Sequence, residues 1–216
     1  FPVYLVYLCG DTDMSAEMAP LTEILSSGLP IKVLVQNDDL LEEISAVIGQ
    51  FSFGLRGSQT AVMALGLANA YVLQASSASL YGLRESIVSG LMYNGPALFN
   101  ICSGLAGPPN KAATNAPPTP VYLRAAAAQD SRAFPTFVRD PARGSNWAAR
   151  FSLKGNSRPE ADWPVHRFSY EDEDLQRDAQ DLAFTFVDFA AADERYATSF
   201  ASVKRFEWQE FMVPLA

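Results

Sequence analysis

Cysteine is scarce: Cys9 and Cys102 are the only two in 216 residues. That excludes a disulfide scaffold, and together with a single histidine, His166, it leaves no zinc pattern. Such cysteine usage fits a reducing, cytoplasmic setting. Basic residues are in deficit, 16 against 24 acidic for a formal charge of −8. They form no run and no aromatic-interleaved stripe, so no nucleic acid is expected as a partner. No apolar stretch approaches the roughly 20 residues that a membrane-spanning helix requires, and no charged segment leading to a small-residue cleavage site opens the chain. A soluble protein without a membrane partner is expected. Gly49, Gly54 and Gly57 match neither dinucleotide nor nucleotide fingerprints and read as a flexible loop. No Ser or Cys nucleophile motif accompanies His166, for which a structural hydrogen-bonding role is expected.

The chain does have enough apolar residues, 49% of the total, to bury the core of one ordinary domain with an appended subdomain. Two apolar strand-like runs, Pro2–Cys9 and Ile31–Gln36, each end in an acidic turn, Gly10-Asp11 and Asn37-Asp38-Asp39. Between them Met14–Ser27 has helical apolar spacing, with Gly28 placed to stop it. A strand–helix–strand unit of this kind runs both strands parallel, with their carboxyl ends at the edge where open α/β sheets bind ligands. Asp11 and Asp38 would then be neighbours, and hard oxygen ligands there suit Mg²⁺ bound to a phosphorylated ligand.

Further along, Asp39–Ile48 reads as a short helix, Thr60–Leu67 as a helix capped by Ser58, and Ala70–Ala75 as a strand. Leu80, Leu83, Ile87 and Leu91 mark another helix, closed by Asn94-Gly95-Pro96, and Ala97–Ile101 a further strand. This alternation predicts an α/β fold: a doubly wound, mostly parallel sheet with helices on both faces. Ser103–Pro120 reads as a long surface connection, Val121–Ala128 as a helix and Phe134–Val138 as a short strand. The looser segment that follows is expected to wrap the sheet. From Tyr170-Glu171-Asp172-Glu173-Asp174 a helix is predicted, its acids at the favourable dipole end and Leu175, Ala179, Leu182, Phe186 and Phe189 on one face. The division expected is 1–141 for the α/β domain and 142–216 for the wrapping segment and a helical C-terminal extension. Because Phe1 leads at once into a strand, the chain is expected to be part of something larger. Cys102 reads as a small buried core residue rather than a thiol at the crevice.

Gly10-Asp11, Leu25-Ser26-Ser27-Gly28 and Lys32-Val33-Leu34-Val35, then Ala70-Tyr71-Val72, Gly95-Pro96-Ala97-Leu98 and Phe134-Pro135 through Arg139-Asp140-Pro141, occur in the order of similar segments in a known family. The chain resembles, over most of residues 3–141, the thiamin-diphosphate domain of pyruvate:ferredoxin and related 2-oxoacid:acceptor oxidoreductases. The resemblance implies a parallel sheet gripping thiamin diphosphate through Mg²⁺, with Gly10, Asp11 and Thr12 in the cofactor turn. It implies Asp11, Asp38 and the Leu40 carbonyl as metal ligands, and Glu43 near a cofactor-binding asparagine position. Thr12 replaces the family's second glycine, and the Asn-Thr-Gly-Gly segment expected after Asp38 is absent. Two carboxylates ~4 Å apart repel by roughly 4 kcal/mol at an effective dielectric near 20, so the set would crowd charge beside a diphosphate. Cys102 stands about three residues earlier than the family's cluster cysteine, so an iron–sulfur cluster would need cysteines from other sequence.

The resemblance implies a part of an enzyme for oxidative decarboxylation of a 2-oxo acid such as pyruvate. Its partners would be the remaining domains or subunits and a ferredoxin-like electron acceptor, in a multidomain homodimer or larger assembly. The alternative is a degenerate module that keeps the fold and subunit contacts without the cofactor. A third reading is a nucleotide or small-anion binder at the same crevice.

Overall fold

The computed structural model describes residues 3–9, 14–45, 51–55, 58–105, 119–171, 175–193, 195–196, 200 and 203–207. The first unit is strand β1 (Tyr4–Cys9), helix α1 (Met14–Ser26) and strand β2 (Ile31–Asn37). Helix α1 ends as its sequence demands. Gly28 takes φ +71°, the left-handed turn that costs glycine nothing, and the Ser27 hydroxyl donates to the Ile24 carbonyl at 2.7 Å. There follow β3 (Leu41–Ser45), β4 (Phe51–Leu55), α2 (Ser58–Leu65), β5 (Tyr71–Ser76), α3 (Arg84–Met92) and β6 (Ala97–Cys102). Then come α4 (Val121–Asp130), β7 (Phe137–Arg139), α5 (Trp147–Arg150) and β8 (Phe151–Ser152). The described elements end with β9 (Val165–Glu171), β10 (Arg177–Ala183), α6 (Phe186–Ala191) and a 3₁₀ turn at Arg205–Glu207.

Six strands form one sheet in the order β1-β2-β6-β5-β7-β8. The first four are parallel, and β7 and β8 add antiparallel at the far edge. The protein is therefore α/β with a mostly parallel sheet, as its alternating sequence predicts. Strand alternation sends neighbouring side chains to opposite faces, and both faces are covered. Val33, Val35, Val72 and Leu98 pack with Leu21 and Leu25 of α1 and Ala61 and Ala64 of α2. On the other face Tyr71, Leu73, Ala97 and Phe99 pack with Leu83 and Ile87 at α3. The close seat of α3 depends on Gly90, where a Cβ would lie 2.6 Å from the Tyr71 ring and 2.8 Å from Phe99. Among the described residues, no helix is long and apolar enough to cross a membrane.

Two predicted helices are strands instead. Within the range 39–48, residues Leu41–Ser45 form β3 and pair antiparallel with β4. Leu40 and Leu41 are both buried, and the Leu41 amide donates to the Asp39 carboxylate at 3.2 Å, a local bond that turns the chain rather than starting a helix. Gly54, read as part of a loop, lies in β4 opposite Glu42. The second correction concerns the helix predicted from Tyr170. Residues 165–183 form the antiparallel hairpin β9–β10, and helix begins only at Phe186, behind the Thr185–Asp188 capping box. Leu175 is 80% exposed, at φ 60° in the turn, so the apolar spacing through Leu175 and Ala179 has no core to bury. Only Phe189 and Ala190 reach one. The C-terminal extension is thus a hairpin followed by one short helix. The strand predicted at Phe134–Val138 is the shorter β7; Phe134 lies before it, buried in the cluster that holds Phe189.

Polar residues also sit inside this sheet. On the α1–α2 face, Asn37 Nδ2 donates to Asn100 Oδ1 at 2.8 Å, Asn100 Nδ2 to Gln74 Oε1 at 3.0 Å, and Gln74 Nε2 to the Pro135 carbonyl at 2.9 Å. The chain of amides spans β2, β6 and β5 near their carboxyl ends and is buried throughout. Asn100→Ala removes an acceptor from Asn37 and a donor from Gln74. Leaving both unmet in the interior costs about 2–4 kcal/mol, and urea unfolding monitored by circular dichroism will show the midpoint falling accordingly.

Candidate functional site

The parallel register brings the carboxyl ends of β1 and β2 to one edge, with Cys9 opposite Gln36. Strand β6 reaches the same edge, with Asn37 opposite Cys102. The ladder continues past the strands, where the Ser103 amide donates to the Asn37 carbonyl at 2.9 Å. Next the chain turns at Gly104, φ +83°, where a Cβ would stand 2.3 Å from the Val121 carbonyl oxygen. Only glycine permits β6 to run out this close to the start of α4.

Asp38 projects at this edge, half-buried, from the residue after β2. Gln36 Nε2 donates to its Oδ1 at 2.7 Å and Ser103 Oγ to the same oxygen at 2.6 Å. Both donors meet Oδ1, and Oδ2 takes no hydrogen bond among the described residues. Ser103 is itself fixed, because Ser77 Oγ donates to its carbonyl at 3.0 Å. A carboxylate held by one oxygen with the other uncommitted is the arrangement that outer-shell hydrogen bonds impose on a metal ligand.

Asp39 is used differently. Arg195 forks onto both of its oxygens, with Nη2 at 2.7 Å from Oδ1 and Nη1 on Oδ2. The same guanidinium reaches Asp193 Oδ2 at 2.8 Å, and Arg124 of α4 reaches that oxygen at 2.5 Å. Two acids and two guanidiniums therefore cancel, tying the β2 turn to α4 and to the end of α6. Burial works against the Asp193 carboxylate, but the hydrogen bonds from Arg195 and Arg124 outweigh it and hold the pKa at about 2. The Arg195 guanidinium is held protonated by its bonds to Asp193 and then Asp39.

The remaining predicted residues divide. The side chain of Leu40 is buried with Leu41, Cys102, Ala128 and Phe189, so on the β6 side α4 and α6 cover the edge. Glu43 lies in β3, outside the six-stranded sheet, and its side chain falls outside the described residues, as do Gly10, Asp11 and Thr12. Cys102 is a core residue, as its sequence setting indicates: burial pushes its thiol up to about 11, so it stays protonated near neutrality. His166 stands exposed on β9 with its ring edge-on to Phe184 at 6.4 Å. A cleft of about 620 Å³ lined by Arg167, Tyr170, Glu171 and Arg177 belongs to the β9–β10 hairpin, not to the strand edge.

Sequence reasoning missed Gln36, Ser103, Arg124, Asp193 and Arg195. Gln36 carried a usable signal, since alternation in β2 puts it two residues from Asp38 on a strand end. Nothing in the sequence pairs Asp39 with a residue 156 positions away. No protein-family model matches the chain, and no curated protein matches it.

The ionic cluster makes stability depend on acid. Asp193 binds its proton at about pH 2 when folded against an ordinary 3.8, so the unfolded chain takes up protons first as pH falls. The contribution, about 2 kcal/mol, is complete above about pH 4 and lost on descent through about pH 2. In urea unfolding, Asp193→Asn will flatten the decline of stability over that window. At neutral pH, Arg195→Ala will lower stability by about 3 kcal/mol by stranding two partly buried carboxylates.

Proposed function

We propose that this chain is the cofactor-holding part of a cytoplasmic 2-oxoacid:ferredoxin-type oxidoreductase, in which the shared edge of β1 and β2 binds thiamin diphosphate through Mg²⁺. The observation that carries the reading is the Asp38 carboxylate, oriented by Gln36 and Ser103 at that edge with Oδ2 uncommitted. Its chemistry fits a divalent ion, which takes carboxylate and carbonyl oxygens. The pairing of Asp39 with Arg195 also removes one of the carboxylate charges that the sequence had placed beside the diphosphate.

In this reading Asp38 binds the ion through Oδ2, with Asp11 and the Leu40 carbonyl as the other ligands that the family resemblance implies. Ser103 and Gln36 keep the carboxylate turned and hold it ionised. Thiamin diphosphate, when bound, supplies the carbanion chemistry for decarboxylating a 2-oxo acid such as pyruvate, and the protein supplies its position. Electrons would leave through an iron–sulfur cluster whose cysteines come from other sequence, to a ferredoxin-like acceptor. The remaining domains or subunits would complete the enzyme.

A second reading has its own observation. Leu40, Leu41 and Cys102 are sealed beneath α4 and α6, which favours a module that keeps the fold for subunit contacts and binds no diphosphate. Isothermal titration of thiamin diphosphate with Mg²⁺ into the full chain separates the two. The enzyme reading expects saturable micromolar binding, absent in Asp11→Ala and Asp38→Ala and weakened about tenfold in Ser103→Ala through loss of the orienting bond. No heat from a chain whose melting transition is intact would leave the structural module as the answer.

A further inference from the structure

We propose that the β9–β10 hairpin is a dimerisation arm that joins a second copy of this chain by antiparallel pairing of β9 with β9 about a twofold axis at Ser169. This inference does not rest on the cofactor reading. Every residue of β9 is exposed, and Phe168 and Tyr170 keep 43% and 40% of their surface in solvent. A two-stranded hairpin exposed on both faces is marginally stable alone, whereas a sheet of more strands holds.

The hydrogen-bond phase of the hairpin says which backbone groups are available. The Phe184 amide donates to the Pro164 carbonyl at 3.0 Å, and the register pairs His166 with Leu182, Phe168 with Gln180 and Tyr170 with Asp178. Antiparallel pairs alternate between bonded and non-bonded, so these even-numbered residues of β9 bond to β10. Val165, Arg167, Ser169 and Glu171 direct their backbone groups to the outer edge. On β10 the corresponding outward residues are odd-numbered too, but there the Ala179 amide is taken by Asp178 Oδ1 at 2.8 Å. The β10 edge is blocked at its middle by its own side chain, and the β9 edge is open there.

The sequence of that open edge is complementary to itself. Centred on Ser169, an antiparallel second copy sets Arg167 against Glu171 and Glu171 against Arg167 on one face. On the other face it sets Phe168 against Tyr170 and Tyr170 against Phe168. Opposite charges and aromatic pairs directly across strands are the favourable cross-strand combinations. The same register brings outward residue to outward residue, as the backbone phase requires. Strand addition of this kind draws affinity from main-chain bonds and register from side chains, and a twofold partner is self-complementary by necessity.

The test uses the full chain carrying Cys9→Ser. Ser169 of the two copies would form a bonded antiparallel pair with Cα atoms ~5.5 Å apart, within the ~4.4–6.8 Å span of a disulfide. Mild oxidation of Ser169→Cys is therefore expected to give a covalent dimer on a non-reducing gel, and Ala179→Cys is expected to stay monomeric. Sedimentation velocity of the unsubstituted chain over a concentration series should show a monomer–dimer equilibrium. Ser169→Pro, which removes only an outward amide, should raise the dimer dissociation constant about tenfold or more with an unchanged melting temperature. A monomer at all concentrations, equal cross-linking through Ala179→Cys, or a well-folded Ser169→Pro that dimerises as before would each overturn the proposal.

Discussion

Three buried amides, Asn37, Asn100 and Gln74, bind β2, β6 and β5 to one another where the parallel strands end. An amide in the interior must find partners or lose the free energy of its hydration, so each of these side chains accepts only the register that satisfies it. Apolar residues such as Val33, Val35 and Leu98 supply the burial that drives the layers together, but a slide of β6 against β2 would cost them little. For the amides it would cost a great deal. The position of every group at the carboxyl edge, Asp38 and Ser103 included, is inherited from that constraint.

Two kinds of acid leave β2 in consecutive positions, and the structure separates them by their partners. Asp38 is held by neutral donors, Gln36 and Ser103, which orient a carboxylate without cancelling its charge. Asp39 is held by Arg195, which cancels it and fastens α6 and α4 to the turn. The first arrangement suits a residue that meets a cation, the second a residue that locks an edge. Where the arginines act, the surface is closed by Leu40, Leu41 and Phe189.

The alternating apolar runs made the parallel sheet and both helical layers legible before any coordinates, because periods of 2 and 3.6 are written in the identities of neighbouring residues. The stop of α1 at Gly28 was legible for the same local reason. What failed did so where two patterns coincided. Leu175, Ala179, Leu182, Phe186 and Phe189 are spaced for a helix, yet Phe168, Tyr170 and Leu182 also suit a hairpin, and burial decides between them. Only the last turn of the sequence has a core to meet, so only it is helical. Leu40 and Leu41 were misread similarly, since both pack inward and a surface helix would have buried one. Of the site, Asp38 was legible from the turn that follows a strand. The roles of Ser103 and Arg195 depend on strand order and on a contact between distant parts of the chain, which spacing along the sequence does not encode.

The most direct measurement is electron paramagnetic resonance of Mn²⁺, standing in for Mg²⁺, titrated with the protein in the presence and absence of thiamin diphosphate. If Asp38 Oδ2 faces a cation and its diphosphate, the free-ion signal will be lost only when protein and thiamin diphosphate are both present, and Asp38→Asn will restore it. A signal that stays free with the folded protein, or one quenched equally in Asp38→Asn, would contradict the assignment of that edge to a metal-bound diphosphate.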